Sequence, residues 1–324
     1  MSPAKARVEG RSEEVFLVEY PGALCTIQDL GRPGHQSAGV PPGGAMDRFA
    51  LAAANLLVGN PEGAPALECA LAGPILVAMR SCVVAVTGAD FGLELNGRPM
   101  PTWAGIFLAE GDRLALTARR WGARAYVAVA GGLVGECWLG SASTYLLVGR
   151  GGLRGRSLRA GDTLAATLPE RPAVVGRQLP RAVWPPYSSE PVLAAVPGPH
   201  AHLLSGPARA RLLSEPWLVS RDADRMGYRL EGPELSIDGG GEMVSFGLAA
   251  GCVQVPPSGQ PILLMADHQT AGGYPVVLGV ARADLSVAAQ LLPGDRLRFR
   301  EVSAEEAQEA WRRQWAALEV LRGR

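Results

Sequence analysis

The chain has 324 residues, no net formal charge and 48% hydrophobic residues, with 41 glycines and 26 prolines, a turn-former content well above the average for globular chains. Lys5 is the single lysine among 31 Lys and Arg side chains. Within this sequence that excludes a Schiff-base or pyridoxal enzyme, a Walker phosphate loop, a protein kinase and a biotin-bearing carrier, because each needs a lysine in a folded site. Without a basic or acidic block, neither nucleic acid nor a membrane surface is an expected partner. The N-terminal stretch has no apolar leader pattern and no apolar run reaches 18 residues, so a cytoplasmic protein is expected.

In chain order, the polar residues 1–14 read as a disordered end. Strand-length apolar runs bounded by Gly, Pro and Asp follow at 15–20, 66–71, 75–79, 83–87, 113–117 and 124–130, then at 192–196, 243–246, 262–265, 274–280 and 296–300. Many closely spaced strands of this kind predict barrels or sandwiches rather than βαβ units. Helices are few. Apolar residues at helical spacing predict one over 46–58, ended by Gly59-Asn60-Pro61, and others over 202–213 and 284–290. The pair Ser303 and Glu306 has capping-box spacing. The stripe Ala307, Trp311, Trp315, Leu318 and Leu321 behind it predicts an amphipathic C-terminal helix packed on a barrel. Six prolines between Pro169 and Pro191 place a domain boundary near 180. This gives a first β domain over 15–180, a second over 181–302 and a C-terminal helix over 303–324. The echoes of 40–44 in 255–259 and of 71–74 in 230–233 come in reversed order, which permits two related barrels with different strand wiring.

The five cysteines, Cys25, Cys69, Cys82, Cys137 and Cys252, are odd in number and form no C-x-x-C, so neither a disulfide framework nor a thiolate zinc site is expected. The four histidines, His35, His200, His202 and His268, lack zinc-protease spacing, and no metal site is expected.

Four loops combine glycine with polar groups. In 26–34, Gln28, Asp29 and Arg32 stand beside glycines, either as a turn with a buried Asp–Arg pair or as a holder for an anionic ligand. In 39–47, Gly43 and Gly44 precede a helix and leave backbone N–H groups free for an anion or a carbonyl oxygen, and Asp47 suits the helix dipole. In 222–229, Asp224 and Arg225 form either a solvated charged turn or an arginine fork for a carboxylate. The densest region joins Ser258, Gly259 and Gln260, through a strand, to Asp267, His268, Gln269, Thr270, Gly272, Gly273 and Tyr274. Acid/base, amide and hydroxyl groups of Asp267, His268, Gln269 and Thr270 make these the candidate catalytic residues. Adjacent strand residues point to opposite faces, so an Asp267–His268 hydrogen bond is not assumed.

The segments TIQDLGRPG, GVPPGGAMDRFALAAANLLVGNP, ALECALAGPIL, DADRMGYRLEGPEL, PPSGQPILLMADHQTAGGYP and LLPGDRLRF resemble, in this order, the KipA-type family. It is also called allophanate hydrolase subunit 2, and it overlaps the C subunit of 5-oxoprolinase and the carboxyltransferase part of urea carboxylase. The resemblance implies a mainly β fold of two cyclophilin-like β-barrel domains with a few helices. It implies a KipI-type partner (the B subunit of 5-oxoprolinase) and a LamB/YcsF-type partner (its A subunit) in an ATP-dependent enzyme that opens the lactam of 5-oxoproline to glutamate. A second implied role is carboxyl transfer from biotin, borne on a separate carrier, to urea or a related amide; a third is regulation through binding a KipI-type kinase inhibitor. No cofactor is expected on this chain alone. Within the first role, Gln260, Gln269 and Thr270 are expected to hold an amide, and Arg32 or Arg225 a carboxylate. The family often carries an aromatic where His35 stands and a second threonine where Ala271 stands, so neither position is expected to be indispensable.

Overall fold

The computed structural model describes residues 11–169, 175–237 and 243–322. In the first half, Ser12–Tyr20 lies between Thr163–Thr167 and Ile75–Ala78. This antiparallel sheet of six continues through Arg113–Leu116, Leu93–Leu95 and Arg98–Pro99. A second sheet of five runs Leu24–Gln28, Ala66–Ala70, Trp121–Val129, Cys82–Asp90 and Gly105–Leu108. Phe16, Val18, Ile27, Leu67, Val86, Leu114 and Val127 from both sheets fill the space between them. Helix α1, Arg48–Leu57, covers the outer face of the five-stranded sheet, packing Phe49 and Leu57 in one cluster with Ala85, Tyr126 and Ala128. Cys82–Asp90 and Trp121–Val129 are therefore buried on both faces, which is why they read as near-continuous apolar runs rather than alternating ones. Asp47 caps α1 by accepting from the Ala50 N–H at 2.9 Å, so the helix starts two residues later than its apolar spacing suggests.

The second half is a closed barrel of seven strands, in the order Val192–Pro197, Val276–Val280, Cys252–Gln254, Ile262–Leu264, Gly227–Glu231, Trp217–Val219 and Arg296–Glu301. Arg296–Glu301 closes the ring by pairing in parallel with Val192–Pro197. Along it Leu297 and Phe299 point into a core with Trp217, Tyr228, Val253 and Leu263, while Arg296, Arg298 and Arg300 stay exposed. Helix α2, Gly206–Ser214, is capped by Ser205 and follows a 3-10 turn at Ala201–Leu203. The predicted helix over 202–213 is thus broken near its start, where Ser205 and Pro207 set a fresh N-terminus. Of the run over 243–246, only Phe246 joins a strand, Phe246–Gly247, paired with Ala271–Gly272.

The two β-barrel domains expected from the resemblance close in different ways. The second is a hydrogen-bonded ring; the first closes by packing two sheets face to face. Within the stretch 1–14 expected to be disordered, Ser12, Glu13 and Glu14 pair with Thr167, Ala166 and Ala165, and the sheet hydrogen bonds hold them in place. Residues 1–10 lie outside the described residues. In the proline-rich stretch, Trp184 stacks on Trp103 with centroids 4.6 Å apart, and Leu179 and Tyr187 join the α1 cluster. A short helix α3, Leu285–Ala288, precedes the last barrel strand. Helix α4, Ala304–Ala316, carries the capping box between Ser303 and Glu306. It straps the halves together: Ala307 packs on Ala194, Ala281 and Val302, while Trp315 packs in the α1 cluster, joined by Leu318 and, in helix α5 (Glu319–Arg322), Leu321. Among the described residues no helix is long and apolar enough to cross a membrane.

The halves meet where two backbone segments of the first one cross. Gly44 has φ +85°, and a Cβ there would lie 2.6 Å from the Gly31 nitrogen and 2.7 Å from the Leu30 carbonyl carbon. Gly44→Ala is therefore expected to lower stability by at least about 1–3 kcal/mol through backbone strain alone. Urea unfolding checks this, and an unchanged midpoint contradicts it.

Candidate functional site

The loop 39–47 is held from both sides. The Arg32 N–H donates to the Pro42 carbonyl at 2.7 Å, and the Ala45 N–H donates to the Asp29 carbonyl at 2.9 Å. The Gly43 N–H reaches across the halves to the Ala266 carbonyl at 3.2 Å. Ala266, Asp267 and His268 follow the barrel strand Ile262–Leu264, so the strand delivers them to this crossing.

Arg225 fixes the junction. Its Nε donates to Asp267 Oδ2 at 2.8 Å and one Nη to Asp267 Oδ1 at 3.1 Å. The same guanidinium reaches Glu68 Oε1 in the first half and the Gly44 carbonyl at 2.6 Å. Burial alone would push its pKa down, but the carboxylates of Asp267 and Glu68 outweigh burial, and the net shift is upward. Glu68 Oε2 also accepts from the Tyr126 hydroxyl at 2.7 Å and from the Met46 N–H at 2.8 Å. Arg124 donates to the Tyr228 hydroxyl at 3.0 Å and to the Ala289 carbonyl. Gln290 accepts from the Ala123 and Arg124 N–H groups and donates to Asp47 and to the Arg124 carbonyl. The interface is thus a polar network with its buried charges paired or hydrogen-bonded, as burial requires.

Two cavities flank it. A cleft of 620 Å³ between the halves is lined by Glu68, Arg124, Tyr145, Leu147, Asp224, Arg225 and Asp267 among others. A smaller cavity of 270 Å³ is lined by Gly43, Met46, Arg48, His268, Arg282, Ser286 and Trp311 among others. Asp267 and His268 thus line different cavities, because the chain turns between Met265 and His268, where the His268 N–H donates to the Met265 carbonyl at 3.3 Å. The His268 ring is 1% exposed, and Nδ1 lies 2.7 Å from the Gln269 carbonyl oxygen. A carbonyl only accepts, so Nδ1 carries the proton and Nε2 presents a lone pair. Burial pushes the imidazole pKa below its usual 6.5, against a smaller opposing pull from that hydrogen bond and from Asp267. At neutral pH His268 is an uncharged base.

Residues 38–301 match the family model described as the carboxyltransferase domain, subdomain A and B. The chain belongs to this family. It is similar to the C subunit of 5-oxoprolinase from Escherichia coli, with 38% identity over 93% of this chain and 95% of that one. It is also similar to the urea amidolyase of Lachancea kluyveri, with 32% identity over 94% of this chain but only 18% of that far longer one. Among solved structures, the K. lactis urea amidolyase superposes with a TM-score of 0.89 and 29% identity, covering 95% of this chain and 20% of that one.

The family's motif residues do not converge on one point. Asp29 and Arg32 do not pair. Asp29 is occupied by the Ser141 and Ser143 hydroxyls and the Ala142 and Gly31 N–H groups. Arg32, 1% exposed, donates to the Ser143 carbonyl and lies 5.0 Å from the centre of the Trp138 ring. Gln28 donates to Thr26 Oγ1 and to the Thr144 carbonyl. Arg225 does make a fork, but its carboxylate is Asp267 of the same chain, which leaves neither as a free ligand or base. Asp224 accepts from the Met226 and Gly227 N–H groups and so shapes the turn. Gln260 clamps Gly232 through that residue's N–H and carbonyl, and with Ser258 it lines a separate hollow of 220 Å³ at the opposite end of the Ile262–Leu264 strand. The Gly259 backbone closes on Leu235 there. Gln269 is exposed and donates to Gln254 Oε1 at 3.1 Å, and Gln254 in turn donates to the Tyr274 carbonyl. The Thr270 carbonyl accepts from Leu248. A side chain at Gly272 would press on Leu248, and one at Gly273 on the Met243 carbonyl. Glu68, Arg124, Gln290, Arg48 and Arg282 had no place among the sequence candidates. For Glu68 and Arg124 a signal existed: each is a lone charge inside an apolar strand run, ALECA and ARAYV.

Replacing Arg225 with Met leaves Asp267 buried without its ion-pair partner and Glu68 with only the longer contact to Arg124 at 4.0 Å, so a loss of about 3–5 kcal/mol is expected in denaturant unfolding; a loss below about 1 kcal/mol would remove its keystone role. His268 has a folded pKa below its unfolded one, so the unfolded chain binds more protons between the two. Its contribution is full above about 6.5 and is lost as pH falls through the folded value. Urea midpoints measured across that window are expected to drop more steeply for the native chain than for His268→Gln, and parallel curves would refute the assignment.

Proposed function

We propose that this chain serves as the C subunit of an ATP-dependent 5-oxoprolinase, helping to bind 5-oxoproline and open its lactam to glutamate together with KipI-type and LamB/YcsF-type subunits. The observation that carries this reading is the match to the Escherichia coli C subunit over 95% of that protein's length. The local chemistry agrees with a supporting role in amide cleavage. His268 offers a neutral Nε2 beside a small cavity, where it takes the proton from an attacking water and returns it to the departing ring nitrogen. ATP, used by the assembled enzyme, supplies activation of the lactam carbonyl. The only lysine in this sequence is Lys5, in the polar stretch read from its composition as a disordered end, so a lysine that handles phosphate is expected on one of the other proteins.

The urea amidolyase relatives favour a second reading, carboxyl transfer from a biotin on a separate carrier to urea or a related amide, with the same cavity receiving the acceptor. Reconstitution of the three proteins decides between them. The first reading expects ATP-dependent release of glutamate from 5-oxoproline that disappears when this chain is omitted. Carboxylation of urea with a biotinylated carrier, without glutamate release, would replace it by the second. In the assembled enzyme, His268→Gln is expected to lower kcat by about 10²–10⁴-fold with little change in KM; an unchanged kcat would remove the catalytic role of His268.

A further inference from the structure

Beside His268, the 270 Å³ cavity is lined by two arginines, Arg48 and Arg282, and by no aspartate or glutamate. Neither arginine has an ion-pair partner among the described residues. The carboxylates nearest in sequence are committed elsewhere. Asp47 caps α1 and accepts from Tyr187 and Gln290. Asp29 is held by two serine hydroxyls and two backbone N–H groups. Asp284 accepts from the Ala194 N–H at 2.6 Å. Arg48 spends one Nη on the Leu30 carbonyl. Its pKa is pushed down first by burial and next by the charge of Arg282, against a smaller opposing pull from Asp29, so the two cations feel each other across the cavity. The Arg282 guanidinium lies over Trp311, 4.1 Å from the ring centre. Trp311 is itself stacked on Trp315 of α4 at 4.5 Å. Such stacking holds the arginine plane while leaving its N–H edge unspent.

We infer that Arg48 and Arg282 clamp the carboxylate of a small organic acid in this cavity, with Trp311 fixing one of the two guanidiniums. Facing two like charges with no ion pair among the described residues costs stability, and a carboxylate supplies both an opposite charge and the acceptors for a fork. The volume sits near the lower limit of ligand sites, roughly 300–1,000 Å³, so it suits a single small ring or a short chain acid. That the acid is 5-oxoproline rests on the function proposed above; that the site takes a carboxylate does not. On that identification the clamp, and not Arg32 or Arg225, holds the substrate's acid group while its lactam meets His268.

Tryptophan fluorescence of the full chain reads the site directly, with Trp311→Phe as the control that removes the response. Titration with 5-oxoproline is expected to give a saturable change, and 2-pyrrolidinone, the same lactam without the carboxylate, to bind at least tenfold more weakly. Arg48→Gln and Arg282→Gln are each expected to weaken 5-oxoproline binding at least tenfold while circular dichroism and the thermal midpoint show a folded chain. Equal affinity for 2-pyrrolidinone, undiminished binding in both folded variants, tighter binding of inorganic phosphate than of any small carboxylate, or no saturable binding of any of them would overturn the clamp. In the reconstituted enzyme, glutamate release with an unchanged KM in both variants sinks the clamp and keeps the 5-oxoprolinase reading. Carboxylate binding through both arginines without glutamate release does the reverse.

Discussion

One guanidinium sets the relation between the two halves. Each half has its own apolar core, and Met46 is the residue of the first half that enters the core of the second, so apolar packing contributes little to how they meet. Arg225 dictates it, because it draws a carboxylate from each half and a loop carbonyl onto one planar group. Removing two carboxylates and an arginine from water is costly unless every partner is in place, so only one docking satisfies all three. Gln290 and Arg124 add further hydrogen bonds across the junction, to Asp47, the Arg124 carbonyl and the Tyr228 hydroxyl. The loop 39–47, threaded between Gly31 and Ala266, is immobilised by the same docking, and the walls of both cavities are therefore set before any ligand arrives.

The strand-rich architecture was legible because burial imposes a period. Arg296–Glu301 alternates polar and apolar, and the twice-covered strands of the first half run apolar almost without interruption. What was not legible depended on pairing rather than pattern. Two-residue strands such as Arg98–Pro99 and Ala271–Gly272 exist only through their neighbours, and the start of the first strand at Ser12 follows from Ala165, Ala166 and Thr167 across the sheet. Helix α1 was legible from its apolar spacing, but its burial on nearly every side was not. Its alanines fit a narrow space between a sheet and the C-terminal residues, and small residues give weak periodicity.

The candidate site was read as a set of loops that carry polar groups in an apolar chain. Their roles could not be separated, because the partners lie far away in sequence: Asp267 is 42 residues from Arg225, and Glu68 is 157. The arginine fork read at Arg225 does exist, but it is satisfied within the chain. Conversely, Arg48 and Arg282 sit in ordinary sequence contexts, and that neither has an ion pair among the described residues is a fact of three-dimensional arrangement alone. A turn between Met265 and His268 divides the densest motif: Asp267 faces the junction and is consumed by it, and His268 lines the smaller cavity.

The near-absence of lysine acquires a structural meaning at this junction. Arg225 makes four directed hydrogen bonds to three groups in one plane, which an ammonium with three donors on a flexible stem cannot reproduce. Every permanent cation among the described residues that approaches the two cavities is an arginine. Arginine stays protonated throughout the accessible pH range, so these residues can bind and orient anions but cannot accept a proton or act as nucleophiles. With Asp267 tied to Arg225, proton transfer in the smaller cavity falls to His268, whose tautomer is fixed by the Gln269 carbonyl and whose charge is suppressed by burial. The division between groups that hold charge and the one group that can change it follows from this composition and from the side on which each residue of the 266–268 segment emerges.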